Sequence, residues 1–122
     1  MPENEINNYT PEANNAVAKS PQECRRVLKE LGCCVIIPTY NNAGTLSQVI
    51  SEVLQYSEDV IVVDDGSTDT TPEIIRSFGD AIKSLTQEKN QGKGVALLCG
   101  MVYAKRYGFK YAISIDSDGQ HY

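Results

Sequence analysis

Two carboxylates set two residues apart, Asp116 and Asp118, follow directly on an apolar run at residues 111–115. In an extended segment, positions i and i+2 point to the same side, so both carboxylates face one spot at the carboxyl end of a strand. Two anions held close repel one another unless a cation neutralises them. A hard divalent ion, Mg²⁺ or Mn²⁺, bound by one or two carboxylates is the usual partner of a diphosphate. The same stretch, Asp-Ser-Asp-Gly, is also good turn chemistry, because Asp and Ser bond local backbone and Gly admits positive φ. From these residues alone both readings stand.

Three further polar stretches could join this one. Pro38, Tyr40 and Asn42 follow the apolar run 33–38, and Tyr40 can stack on a base or simply pack. Asp64 and Asp65 end the apolar run 60–63. A carboxylate there can accept hydrogen bonds from a base or ribose, or the stretch is a turn in which Asp69 or Thr71 caps the helix behind it. Asn-Gln-Gly-Lys-Gly at 90–94 places Lys93 as a point charge beside a helix N-terminus, a phosphate site in outline. It is not a P-loop, since the upstream Gly is missing and Gly94 replaces the Ser or Thr that holds the metal. No Gly-x-Gly-x-x-Gly occurs, which disfavours a nicotinamide cofactor. His121, the only histidine, is a loop residue or a third metal contact.

The elements that must position these residues read as alternating helices and strands. Ser20, Pro21 and Glu23 announce a helix by N-cap, first-turn Pro and capping-box Glu, with Cys24, Val27, Leu28 and Leu31 on one face. A strand at 33–38 is apolar throughout and therefore buried on both faces, as in a parallel sheet. Thr45 and Gln48 suggest a capping box for a second helix reaching about Tyr56, striped by Leu46, Val49, Ile50, Val53 and Leu54. A strand at 60–63, a helix opened by Thr71-Pro72 with Ile74, Ile75 and Phe78 inward, and a weaker strand at 81–85 follow. The last helix runs from Val95 to about Tyr107, with Val95, Leu98, Cys99 and Val102 as its apolar positions. The run 111–115 has the length and β-branched content of a buried strand. This alternation argues an α/β fold with a mainly parallel sheet, whose carboxyl edge gathers the polar loops.

Composition narrows the partners. The 122 residues are 41% hydrophobic and 22% charged, enough for one domain with a core. Net charge is −5 with no basic block, so nucleic acid and anionic membranes are poor partners. No apolar run approaches the length of a membrane span, and the N-terminus does not read as a signal peptide. Residues 1–19, rich in Asn, Glu and Pro, read as a loosely docked arm. Cys24, Cys33, Cys34 and Cys99 include no Cys-x-x-Cys and read as packing residues in a reducing cytoplasm.

Four motifs stand together in order: Val-Ile-Ile-Pro-Thr-Tyr-Asn at 35–41, Val-Ile-Val-Val-Asp-Asp-Gly-Ser-Thr-Asp at 60–69, Asn-Gln-Gly-Lys-Gly at 90–94, and Ile-Asp-Ser-Asp-Gly-Gln-His at 115–121. With them the sequence resembles the family 2 glycosyltransferases of the GT-A fold, most closely the dolichyl-phosphate mannose and polyprenyl-phosphate sugar synthase branch. The resemblance implies a Rossmann-like sheet in strand order 3-2-1-4, a UDP- or GDP-sugar donor, a divalent metal (Mg²⁺ or Mn²⁺) and transfer with inversion. It implies that Pro38 and Tyr40 contact base and ribose and that Asp65 reads the base, with Asp64 just before it. By the same resemblance Lys93 matches the family's basic position after the third strand. The resemblance also implies that Asp116 and Asp118, with Ser117 between them, are the Asp-x-Asp motif for ribose and metal-diphosphate, and that Gln120 neighbours the donor. Asn42 stands where the family commonly has Glu.

A polyprenyl phosphate or a glycan is the implied acceptor, and the cytoplasm or the cytoplasmic membrane face the implied place. The family's general base lies in a second half beyond these residues. The expectation is therefore an arm and short helix at 1–32, then a donor-binding half at 33–122 that is inactive alone. Strand order 3-2-1-4 would leave the last strand a bare edge, open to pairing between copies through 111–115. Two alternatives remain on sequence: a haloacid-dehalogenase-like phosphatase with Asp116 as nucleophile and Asp118 as acid-base, and a non-catalytic nucleotide-binding module.

Overall fold

The computed structural model describes residues 20–118. The expected arm at 1–19, Gln120 and His121 lie outside them. The elements are α1 (Pro21–Leu31), β1 (Cys33–Thr39), α2 (Leu46–Tyr56), β2 (Val60–Asp64), α3 (Thr71–Ser77), a 3₁₀ turn (Gly79–Ala81), β3 (Lys83–Thr86), α4 (Lys93–Arg106) and β4 (Tyr111–Ser114). The four strands are all parallel and lie in the order β3-β2-β1-β4, the order the resemblance implied.

The strands at the centre behave as their composition requires. Every residue of β1 and β2 is buried, because helices cover both faces. Alternation sends Val35, Ile37, Val60 and Val62 to one face, against Leu46, Val49, Ile50 and Ile75 of α2 and α3. Cys34, Ile36, Ile61 and Val63 face the other way, against Ala96 and Ala104 of α4. Burial raises the Cys34 thiol to about 11. Among the described residues Cys24, Cys33, Cys34 and Cys99 form no disulfide, and Cys33 and Cys34 are buried in the sheet.

Helix α1 starts as its sequence announces, with the Ser20 hydroxyl accepting the Glu23 N–H at 3.3 Å. It docks on the end of α2: Arg25 donates to the carbonyls of Leu54 and Ser57, and Lys29 pairs with Glu58 at 2.6 Å.

Four expectations need correction. Thr45 and Gln48 form no capping box; the Thr45 hydroxyl donates to the Ser117 carbonyl, and Gln48 donates to Glu52 at 3.0 Å. The third strand begins at Lys83 rather than 81, because Gly79–Ala81 closes into a 3₁₀ turn first. β4 lies at the edge, as the order 3-2-1-4 implied, but it is exposed rather than buried as its composition suggested: Tyr111 is 62% and Ile113 44% exposed.

The fourth correction is the face of α4. Val95, Leu98 and Val102 are exposed, whereas Ala96, Gly100 and Ala104 are buried against the sheet. Small residues at i, i+4 and i+8 let the helix lie very close. A Cβ on Gly100 would stand 2.6 Å from Ile36 Cγ2, so backbone, not side chain, fills that contact. Proximity to the sheet decides which face is buried, and hydrophobicity does not.

Candidate functional site

Register gathers the polar residues. Thr39 pairs with Asp64 across β1 and β2, so Tyr40 and Asp65 emerge together at the carboxyl edge. The Ile115 N–H bonds the Ile36 carbonyl at 3.0 Å, which carries the chain beyond β4 to the same edge. A cleft of about 220 Å³ opens there. Pro38, Tyr40, Asn42, Asp65, Lys93, Asp116, Ser117 and Asp118, all marked from sequence, line it. Asp64 does not.

Asp64 is instead a turn residue. Only 1% exposed, its carboxylate accepts the Ser67 N–H at 2.9 Å. Gly66, with φ of 77°, passes so close to the next loop that a Cβ would lie 2.4 Å from the Lys89 carbonyl carbon. Asp69 completes the turn, accepting from the Ala43 N–H at 3.3 Å and the Thr71 N–H at 2.9 Å. Donors of Thr71 above all, then the Ala43 N–H, hold the Asp69 carboxyl below the usual range.

Asp65 is 2% exposed and fully engaged. Its Oδ1 accepts from Gln87 Nε2 at 2.7 Å and the Gln91 N–H at 2.9 Å, and its Oδ2 from Asn90 Nδ2 at 3.2 Å and the Gly92 N–H at 2.9 Å. Ser117 is likewise committed: it donates to the Pro38 carbonyl at 3.1 Å and accepts from Asn42 Nδ2 at 2.7 Å. Asn42 thereby joins the first loop to the last.

Asp116 and Asp118 do share the cleft. Asp116 pairs with Lys93, which reaches it from the first turn of α4. Among the described residues no group of three or more His, Cys, Asp and Glu side chains is placed to hold a metal. Two carboxylates are nonetheless a fitting hard-oxygen set for an octahedral ion that takes its other ligands from water and phosphate.

Residues 34–122 match the profile of Glycosyl transferase family 2. The chain belongs to glycosyltransferase family 2. It is 30% identical over 103 residues to the UDP-N-acetylglucosamine–dolichyl-phosphate N-acetylglucosaminyltransferase of Methanococcus voltae, covering 71% of this chain and 41% of that protein. It is 33% identical over 93 residues to the polyprenol monophosphomannose synthase of Mycolicibacterium smegmatis, covering 71% and 35%. Among solved structures it resembles glucosyl-3-phosphoglycerate synthase from Mycobacterium tuberculosis in complex with Mn²⁺, UDP and phosphoglyceric acid. There the TM-score is 0.61 at 25% identity, over 80% of this chain and 36% of that one. The chain spans about two fifths or less of the length of these relatives. Family membership and strand order remove the phosphatase alternative, whose Asp-x-Asp opens its domain, whereas here three strands precede it.

Family 2 membership gives meaning to residues that sequence reasoning passed over. Thr39 is 3% exposed, lines the cleft, and its hydroxyl has no hydrogen-bond partner among the described residues. A buried hydroxyl without a partner is costly, and a polar ligand atom in the cleft would satisfy it. Its position between Pro38 and Tyr40 was the available signal. Asn41, at φ 52°, joins the first two loops: its Oδ1 accepts the Thr68 N–H at 2.8 Å, and its own N–H donates to Ser67 Oγ at 2.9 Å. Among the described residues no helix is long and apolar enough to cross a membrane.

Proposed function

We propose that this chain binds the nucleotide-sugar donor, UDP- or GDP-linked, of a metal-assisted, inverting glycosyltransferase. The observation that carries the reading is the convergence of Tyr40, Asp65, Lys93, Asp116 and Asp118 on one cleft at the carboxyl edge. In support, a solved structure of similar fold, glucosyl-3-phosphoglycerate synthase, was crystallised with Mn²⁺, UDP and phosphoglyceric acid.

In this reading Tyr40, 43% exposed, offers a face on which the base stacks, with Pro38 beside it and the Thr39 hydroxyl satisfied by base or ribose. Asp116 and Asp118 would hold a divalent cation, which when bound neutralises charge on the departing diphosphate. Lys93 and the N-terminus of α4 supply positive charge on the opposite wall, where the diphosphate lies. Asn42 and Ser117 fix the spacing between the base side and the acidic side through their hydrogen bond. Gln120 would extend the donor contacts.

The acceptor, a polyprenyl phosphate or a glycan, and the general base that a hydroxyl acceptor requires are assigned to none of these residues. The 122 residues are accordingly read as a donor-binding half, inactive alone, with 33–122 as its domain and 1–32 as its leading segment. Cys33 and Cys34, buried as thiols in the first strand, support a reducing, cytoplasmic setting, at the membrane face for a lipid acceptor. Pairing of copies along β4 is supported by its uncharged, exposed edge. Concentration-dependent sedimentation that Ile113→Lys abolishes would establish the pairing, and a strict monomer at high concentration would exclude it.

Calorimetric titration tests the main reading. UDP- or GDP-sugar should release heat with Mn²⁺ present and lose most of it with a chelator or with Asp118→Ala. Nucleotide binding that ignores both would favour the non-catalytic module instead.

A further inference from the structure

Resting on that reading of the cleft, we propose that Thr45 is a positioning residue: through the Ser117 carbonyl it sets where Asp118 meets the metal and the diphosphate. Thr45 does not itself line the cleft. It stands at the N-cap position of α2, where a threonine hydroxyl ordinarily accepts a backbone N–H of the first turn. Here it makes no such bond. It donates instead to the Ser117 carbonyl at 2.5 Å, 72 residues further along the chain. The hydroxyl placed to start the helix is spent on the acidic loop.

That loop has little else from the sheet. The ladder between β1 and β4 ends with Ser114 opposite Ile36, and the Ile115 N–H adds one bond to the Ile36 carbonyl at 3.0 Å. Beyond it, Ser117 is gripped from the connection between β1 and α2. Its hydroxyl donates to the Pro38 carbonyl at 3.1 Å and accepts from Asn42 Nδ2 at 2.7 Å, while its carbonyl takes the Thr45 hydroxyl. Ser117 is 2% exposed, and Asp116 and Asp118 on either side of it line the cleft.

The two ends of Ser117 have different effects. The hydroxyl bonds seat the residue on the end of β1. The carbonyl bond acts forward along the chain. A peptide unit is planar, so fixing the Ser117 C=O fixes the plane that carries the Asp118 N–H and Cα. Thr45 thereby sets the direction in which the Asp118 side chain leaves the backbone. Asp116 can then exchange its partner Lys93 while Asp118 keeps its place.

The test separates the two ends of the cleft. Mn²⁺-pyrophosphate probes the acidic end, and metal-free uridine probes the Tyr40 end. Both are titrated into the wild type, Thr45→Val and Thr45→Ser. Nitrogen relaxation reports backbone order at Ser117 and Asp118 in the chain without ligand or metal. Valine keeps the shape and removes the donor, and no helix cap is lost with it. Thr45→Val is expected to bind Mn²⁺-pyrophosphate about fivefold more weakly, the worth of one hydrogen bond, and uridine as the wild type does. Order at Ser117 and Asp118 falls in that variant. Thr45→Ser, which keeps the donor, restores both.

Equal affinity of the wild type and Thr45→Val for Mn²⁺-pyrophosphate would overturn the proposal. So would an equal loss for both ligands, the mark of a general structural role, or failure of serine to restore binding. Wild-type order parameters below about 0.6 at Ser117 and Asp118 would overturn it without any variant, since the loop would then not be held. If the wild type bound neither ligand, the donor-site reading would fail, while the order parameters would still decide whether Thr45 holds the loop.

Discussion

The two sides of the cleft are built differently. On the β2 side, Asp64, Asp65 and Asp69 are each tied to backbone N–H groups of a neighbouring turn, and Asn41 sews the first two loops together. On the β4 side, Asp116 is held by a side-chain ion pair, with both partners about half exposed, on the end of a strand paired on one side only. Backbone-anchored carboxylates cost little to keep in place once the fold forms. A pair of exposed charges gains little and exchanges partners easily. The comparison teaches that the fold fixes one wall in advance and holds Asp116 by a contact that can exchange, as the proposed binding of a cation and a diphosphate requires.

The largest expected effect breaks the fixed wall. Gly66→Ala puts a Cβ 2.4–2.6 Å from the Lys89 and Asn90 backbone at a positive φ. It should cost about 3 kcal/mol in urea unfolding, from strain and overlap combined. A loss below about 1 kcal/mol would mean the two loops separate easily.

Thr39→Val sharpens the comparison by separating folding from binding. Its hydroxyl is buried without a partner among the described residues, so the variant should unfold at equal or higher urea concentration. Donor affinity should nevertheless drop by about fivefold, the worth of one hydrogen bond. A stability loss with unchanged affinity would show the hydroxyl to be structural.

Lys93→Met addresses the yielding wall. With its partner gone, Asp116 should bind Mn²⁺ alone about threefold more tightly, a change of the size an exposed pair allows. Mn²⁺-pyrophosphate should bind more weakly, because the same lysine faces the phosphates. Weakening of both would place Lys93 in support of the loop alone.

The smallest effect is on acid stability. Asp69 has a depressed pKa in the folded chain, so its contribution is present above its unfolded value, near 3.9, and disappears as pH falls through the folded value. Asp69→Asn should flatten the stability curve below about pH 4 and leave its shape near neutrality unchanged. An unchanged acid limb would contradict the assigned cause.

Much of the fixed wall was legible in the sequence. Two all-apolar strands followed by Asp or Pro-Thr-Tyr can only be central strands whose ends open onto one edge, and both were found there. The roles of single residues were less so. Asp64 and Asp65 are adjacent and chemically identical; only the Ser67 turn and the 87–92 loop distinguish them, and both are tertiary. α4 misled for a related reason: its large residues are exposed because Ala96, Gly100 and Ala104 permit an approach that bulk would forbid. β4 reads as a buried strand by composition and lies at the edge by topology, which periodicity cannot show.

The central claim is that one ligand spans both walls. Crystals of the chain soaked with UDP and Mn²⁺ test it most directly, since manganese scatters anomalously. The account predicts uracil against Tyr40 and a manganese peak within about 2.3 Å of an Asp118 oxygen, bridged to the diphosphate. Nucleotide bound away from Tyr40, or manganese bound away from Asp116 and Asp118, would contradict it.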